Sequence, residues 1–149
     1  MKTLNKFSIT LPSKSANEAF ARTAVAAFAL QLDPTVDEIS DIKTIVSEAV
    51  TNCIVHAYPN TTGNIYISAE IKSDNSLLVK IRDKGLGIED VEKAMEPLYT
   101  TAGEERAGLG FAVMQNFSDF FKVKSAPGRG TTVIFIKKIS LRALGNAGR

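Results

Sequence analysis

The sequence predicts a mixed protein of the α/β (α+β) class, folded as one domain. Three observations carry that reading. Five short stretches have strand character, and four of them fall in pairs separated by turn residues. Two long stretches carry apolar residues at helical spacing. The chain of 149 residues is of single-domain size and long enough to bury a core.

The elements follow in chain order. Phe7, Ile9 and Leu11 alternate with Ser8 and Thr10 as a short strand, which Pro12 ends. Ser15 and Glu18 have capping-box spacing at the head of an alanine-rich helix over about residues 16–32. Arg22 sits on that helix among small and apolar neighbours and, on composition, reads as a solvated position. Asp33-Pro34 breaks the chain. Thr35 and Glu38 form a second capping box, opening a helix that runs to about Ala57. Pro59-Asn60-Thr61-Thr62-Gly63 is a turn cluster. Ile65, Ile67, Ala69 and Ile71 alternate with Tyr66, Ser68 and Glu70. After Ser73-Asp74-Asn75-Ser76, residues Leu77, Val79 and Ile81 repeat the pattern, which makes a hairpin with one buried face. A short helix is expected over residues 89–96, stopped by Pro97. Residues 98–107 are irregular and polar. Gly108-Leu109-Gly110 then leads into an apolar helix from Phe111 to about Phe120. A last hairpin joins Phe121–Ser125 to Thr131–Lys137 across Ala126-Pro127-Gly128-Arg129-Gly130. Residues 1–140 form the domain, and 141–149 are expected to be a mobile tail.

Composition excludes several classes. Hydrophobic content of 44% and charged content of 23% are those of an ordinary globular protein. A net charge of +2 is too small to argue for direct nucleic-acid or membrane binding. The longest apolar run, Ala24 to Leu30, cannot span a bilayer, and no signal-peptide pattern is visible. The lone cysteine, Cys53, reads as a packed thiol in a reducing compartment. The expected location is cytoplasmic.

The second long helix carries the first chemical signal. Glu48, Asn52 and His56 stand four residues apart, and each step of four turns the position by only about 40°. They form a slanting polar stripe beside an apolar arc of Ile42, Ile45, Val46, Ala49, Val50, Cys53, Ile54 and Ala57. Glu48 can take a proton from a hydroxyl. Asn52 can offer an amide oxygen to Mg²⁺, which prefers oxygen ligands. His56 reads as a packing or capping residue at the helix end. Asp83, where a strand meets Gly85 and Gly87, can accept from an exocyclic amine such as that of adenine; it is equally a plain turn residue. Gly108-Leu109-Gly110 reads either as a phosphate-binding helix start or as a flexible lead-in. The polar residues before it suit a lid over a ligand. Gly130-Thr131 reads as a hairpin turn unless Asp83 lies beside it in the fold.

The order of these signals resembles the ATP-binding fold shared by gyrase, heat-shock chaperones, histidine kinases and MutL, and the resemblance covers nearly the whole chain. Within it, Phe20-Ala21-Arg22, Gln31-Leu32-Asp33-Pro34-Thr35 and Ser47-Glu48-Ala49-Val50-Thr51-Asn52 are similar to the anti-sigma F factors, a family of sporulation serine-protein kinases. So are Pro97-Leu98-Tyr99-Thr100-Thr101 and Glu105-Arg106-Ala107-Gly108-Leu109-Gly110. The resemblance implies a two-layer sandwich with a mixed, mostly antiparallel sheet packed on helices. It implies a homodimer that holds sigma factor F inactive and phosphorylates a serine of the anti-anti-sigma factor. By the same resemblance Glu48 is the catalytic base, Asn52 binds Mg²⁺ and Asp83 meets the adenine of ATP. Gly85, Gly87, Thr100, Thr101, Gly108, Leu109, Gly110 and Thr131 fall on the nucleotide, and Arg22 and Arg106 on partner docking. Three other readings stand beside it: a stress-response kinase of the same family, the catalytic domain of a sensor histidine kinase, and a nucleotide-gated binding module without turnover.

Overall fold

The computed structural model describes residues 2–95 and 105–141, with side chains in the second stretch described from residue 110 on. The elements are β1 (Thr3–Pro12), α1 (Ala16–Ala29) with a 3₁₀ turn Leu30–Leu32, α2 (Val36–Asn52) with a π turn Cys53–Ala57, and β2 (Asn64–Lys72). They continue as β3 (Ser76–Asp83), α3 (Val91–Ala94), α4 (Glu105–Phe117), β4 (Phe120–Ala126) and β5 (Gly130–Lys138). The sheet order is β1-β2-β3-β5-β4. All four pairings among the described strands are antiparallel, so the sheet is not mixed as the resemblance implied. The excursion through α3 and α4 brings the chain back at the far edge as β4. The tight hairpin after it then lays β5 against β3.

Period-two alternation gives the sheet one apolar face. Ile65, Ile67, Ala69 and Ile71 of β2 and Leu77, Val79 and Ile81 of β3 are all buried. They meet Val133 and Phe135 of β5 in one core with Ala21, Val25 and Ala29 of α1, and with Phe111 and Met114 of α4. The predicted arc of α2 supplies the centre of that core, with Ile42, Ile45, Val46, Ala49, Val50 and Cys53 buried and Ile54 packed against it. Burial of each large aliphatic side chain is worth roughly 1.5–3 kcal/mol, which is why helices and sheet settle face to face as two layers. Lys137 locks the layers by bonding the Asp41 carboxylate at 2.9 Å and the Phe117 carbonyl, at the end of α4, at 2.8 Å.

Element ends show where local signals win or lose. Thr35 Oγ1 accepts from Glu38 N–H at 3.1 Å, and Glu38 accepts from Thr35 N–H at 2.8 Å, so the second capping box forms as predicted. The first does not. Ser15 already has helical dihedrals (φ −56, ψ −33), which withdraw its hydroxyl from the capping position. Strand β1 extends four residues further toward the N-terminus than its alternation indicated, because it pairs with the whole of β2. The short helix contracts to Val91–Ala94, capped by Asp90, which accepts from Lys93 N–H at 3.1 Å. Helix α4 starts at Glu105, six residues before the predicted start at Phe111. Glu105, Arg106 and Ala107 are good helix formers and carry the helix through two glycines. It ends at Phe117, and Phe120 opens β4. Residues 96–104, holding most of the predicted lid with Thr100 and Thr101, lie outside the described residues, as do 142–149 of the predicted tail.

Candidate functional site

Five segments converge on one cavity of about 1220 Å³. They are the end of α2 with its π turn, the end of β3 with the loop after it, α3, Phe111 of α4 and the β4–β5 hairpin. Asn52, Asp83, Gly87 and Thr131 of the predicted set line it, joined by His56 and Cys53. Ala49, Ile81, Ile88 and Phe111 give it apolar walls suited to a flat ring, while Glu89, Asp90, Glu92 and Lys93 make its α3 side polar.

Asp83 ends β3 and is 4% exposed. Its Oδ1 accepts from Gly85 N–H at 3.0 Å and from Thr131 N–H at 3.1 Å. Its Oδ2 accepts from the Cys53 thiol at 3.5 Å. Burial pushes the Asp83 carboxyl above its ordinary value, against the pull of the Gly85 N–H, the thiol and the Thr131 N–H. Thr131 thus reaches Asp83 as the sequence required, but through its backbone. Its hydroxyl is 2.7 Å from Ser125 Oγ instead. Gly85 is the turn donor to Asp83, and a Cβ there would strike the Ala57 carbonyl, a close approach within the protein that the sequence did not indicate.

The loop from Lys84 to Ile88 is stitched on both sides. Leu86 N–H donates to the Ala57 carbonyl at 3.1 Å, and Gly128 N–H donates to the Leu86 carbonyl at 2.7 Å. Ile88 N–H donates to Ser125 Oγ at 2.8 Å. Gly87 has φ +75, where a Cβ would also strike the Ala126 carbonyl, so the loop lies flat against the hairpin only with glycine there. Tyr58 pins the root of the loop. Its hydroxyl accepts from Lys84 N–H at 2.6 Å and donates to the Asn64 carbonyl at 2.8 Å.

The polar stripe of α2 changes phase inside the site. Tyr58 N–H donates to the Cys53 carbonyl at 3.2 Å, an i→i+5 bond, so the winding after Asn52 is wider than α. Glu48 and Asn52 keep their predicted relation. His56 leaves the 40° progression yet still faces the cavity. Gly110 closes on the other two: a Cβ there would stand 2.9 Å from Glu48 Oε2 and 3.6 and 3.8 Å from the two amide atoms of Asn52. Both amide atoms of Asn52 are buried, and neither has a hydrogen-bond partner among the described residues. A buried unpaired amide costs about 1–3 kcal/mol, so this one is open to a partner that the described residues do not supply. An oxygen-seeking cation fits that vacancy of partners.

The remaining predicted residues stand apart or undescribed. Arg22 is on α1, away from the cavity lining, with Nε 3.4 Å from the Glu18 carboxylate. Gly108 and Leu109 lie inside α4 rather than ahead of it, and the side chains of Leu109 and Arg106 lie outside the described residues. Cys53, Tyr58 and Ser125 were not singled out for this site from sequence. Only Ser125 had a readable signal, because the hairpin register sets it opposite Thr131.

Comparison with known proteins gives the same outline. The family described as "Histidine kinase-like ATPase domain" matches residues 11–137. The chain is 60% identical over 136 residues to an anti-sigma F factor of Caldanaerobacter subterraneus, covering 91% of this chain and 94% of the relative. It is 55% identical over 139 residues to the anti-sigma F factor of Clostridium beijerinckii, covering 92% and 96%. It is 50% identical over 138 residues to that of Bacillus licheniformis, covering 91% and 94%. Among solved structures, the RsbU and RsbW domains of a Mycobacterium tuberculosis protein align with a TM-score of 0.67 at 18% identity, over 93% of this chain and 34% of that one. A blue-light activated histidine kinase domain of Erythrobacter litoralis aligns with a TM-score of 0.56 at 20% identity, over 82% of this chain and 60% of that one. These two share the fold.

Proposed function

The chain belongs to the anti-sigma F factor family of histidine kinase-like ATPases, and on that premise we propose that it inhibits sporulation sigma factor F and phosphorylates a serine of an anti-anti-sigma partner. It would do so as a cytoplasmic homodimer using ATP and Mg²⁺. The observation that supports this most is the buried amide of Asn52, without a hydrogen-bond partner among the described residues, held beside Glu48 at the cavity that Asp83 shares.

Each residue has a task in the proposal. The free acceptor position of Asp83 takes the exocyclic amine of adenine, and Gly85, Gly87 and Thr131 hold that end of the site. Asn52 holds Mg²⁺ through its amide oxygen; when bound, the ion neutralises charge on the phosphate oxygens. The N-terminal part of α4 faces the phosphates, where Gly108 and Gly110, on either side of Leu109, let the helix come close. Thr100 and Thr101 contribute from the lid. Glu48 orients the serine hydroxyl and accepts its proton as the γ-phosphoryl group transfers in line. Arg22 and Arg106 meet protein partners.

Incubation with labelled ATP and the anti-anti-sigma partner tests the reading. Label on a partner serine is the expected result. Label on a histidine points to a sensor-kinase activity, and the absence of label to a binding module without turnover. Glu48→Ala is expected to bind ATP and lose transfer, because positioned base catalysis is worth about 10²–10⁴-fold. Transfer at the wild-type rate in that variant removes Glu48 as the base. Binding assays against sigma factor F and a stress-response sigma factor separate the two regulatory branches.

A further inference from the structure

We propose that Cys53 is a positioning residue for the nucleobase, its thiol fixing the plane of the Asp83 carboxylate so that the remaining lone pair of Oδ2 is presented to an exocyclic amine. This rests on the nucleotide reading above.

An ionised carboxylate offers about four acceptor positions. Oδ1 of Asp83 spends two, on the N–H groups of Gly85 and Thr131. Both of these bonds converge on the same atom. They hold that oxygen, and neither reaches Oδ2. Among the described residues Oδ2 accepts from the Cys53 thiol, at 3.5 Å. One acceptor position is therefore left, and it belongs to the oxygen the thiol holds. Asp83 and Cys53 both line the cavity.

The main-chain groups of Cys53 are bonded elsewhere, so the thiol is its one hydrogen-bond contact with Asp83 among the described residues. Cys53 N–H is already committed to the carbonyls of Ala49 and Val50. Its own carbonyl takes the π-type bond from Tyr58. The π turn starts at Cys53 and ends at Ala57, whose carbonyl receives Leu86. One local change in winding thus serves both ends of the Asp83–Leu86 segment, the first through a side chain and the last through backbone. Cys53 is 4% exposed and its thiol donates to Oδ2 of Asp83, so it is placed to orient that carboxylate.

Titration of wild type, Cys53→Ala and Cys53→Ser with two ligands tests this: ATP, and the triphosphate of unsubstituted purine riboside, which lacks the 6-amino group. Cys53→Ala is expected to weaken ATP roughly fivefold to tenfold while leaving the amine-free analogue within about twofold, since one charge-assisted bond is lost at second hand. Cys53→Ser, whose hydroxyl is the stronger donor, is expected to restore the ATP affinity that Cys53→Ala loses. Thermal melts confirm that each variant is folded. Equal weakening of both ligands in Cys53→Ala makes the residue a packing element and overturns the proposal, as does wild-type ATP affinity in that variant. Wild-type protein that binds neither ligand overturns the nucleotide reading, and this inference with it.

Discussion

Replacing Gly110 by alanine separates catalytic geometry from stability. The added Cβ would lie 2.9 Å from Glu48 Oε2 and at ordinary distance from the Asn52 amide atoms. Heavy atoms rest in contact at about 3.5 Å, so the carboxylate end must withdraw by roughly 0.5 Å. That end is the tip of a flexible side chain, and moving it off its preferred rotamer costs about 0.5–1.5 kcal/mol. Alanine in a helix interior returns about 0.5–1 kcal/mol over glycine. The two nearly cancel, and the melting temperature should stay within about 4 °C. Catalysis has no such compensation. A misplacement of about 1 Å costs on the order of 10²-fold, so about half that shift in the base should slow transfer tenfold or more. Single-turnover transfer of label from saturating ATP to the partner serine reads the loss. In a Glu48→Ala background the same glycine change should add nothing, because its effect runs through that carboxylate. A wild-type rate in Gly110→Ala, or the same fractional loss in both backgrounds, refutes the reasoning.

Two further outcomes follow from the same bonds. Asp83→Asn keeps an acceptor for Gly85 and Thr131 but turns an amide donor toward the thiol and the base. ATP should bind on the order of 10–100-fold more weakly by calorimetry, and unchanged affinity removes Asp83 from base recognition. For Glu38, burial raises the carboxyl, but the N–H bonds from Thr35 and Ser140 outweigh it and hold the group below its ordinary value of 4.5. A depressed carboxyl contributes stability that is present above that value and is lost as pH falls through the lower, folded one. The melting gap between wild type and Glu38→Gln should therefore close as pH is taken from 7 to 3; a constant gap contradicts it.

Most of the frame was legible because it depends on local signals. Alternation marked the faces of β2 and β3, and Thr35 with Glu38 marked the head of α2, since each pattern is satisfied within a few residues. The same logic misled at Ser15, where the spacing is right but the backbone is already helical. It also misplaced the start of α4, where two glycines looked like a break and the helix runs through them. The site was legible as a set of residue types, not as bonds. Asp83 and Thr131 are 48 positions apart, and that a backbone N–H rather than a hydroxyl joins them depends on the β3–β5 register. Cys53 and Asp83, 30 apart, meet because the fold sets the end of α2 against the end of β3, and the π turn after Asn52 was not legible either. One residue of altered winding is too little to disturb a hydrophobic period seventeen residues long.

That altered winding also limits how the chain can change in length. A π turn holds one residue more than the α-helix it interrupts. Removing any one of the five residues from Cys53 to Ala57 would restore ordinary winding, and helix propensity alone would not object. The same deletion would draw the Ala57 carbonyl back by a residue's rise and pull it from Leu86, unfastening the glycine loop at its helical end. The winding itself does not depend on which side chains the segment carries, whereas its residue count is fixed by a bond to a loop nearly thirty positions away.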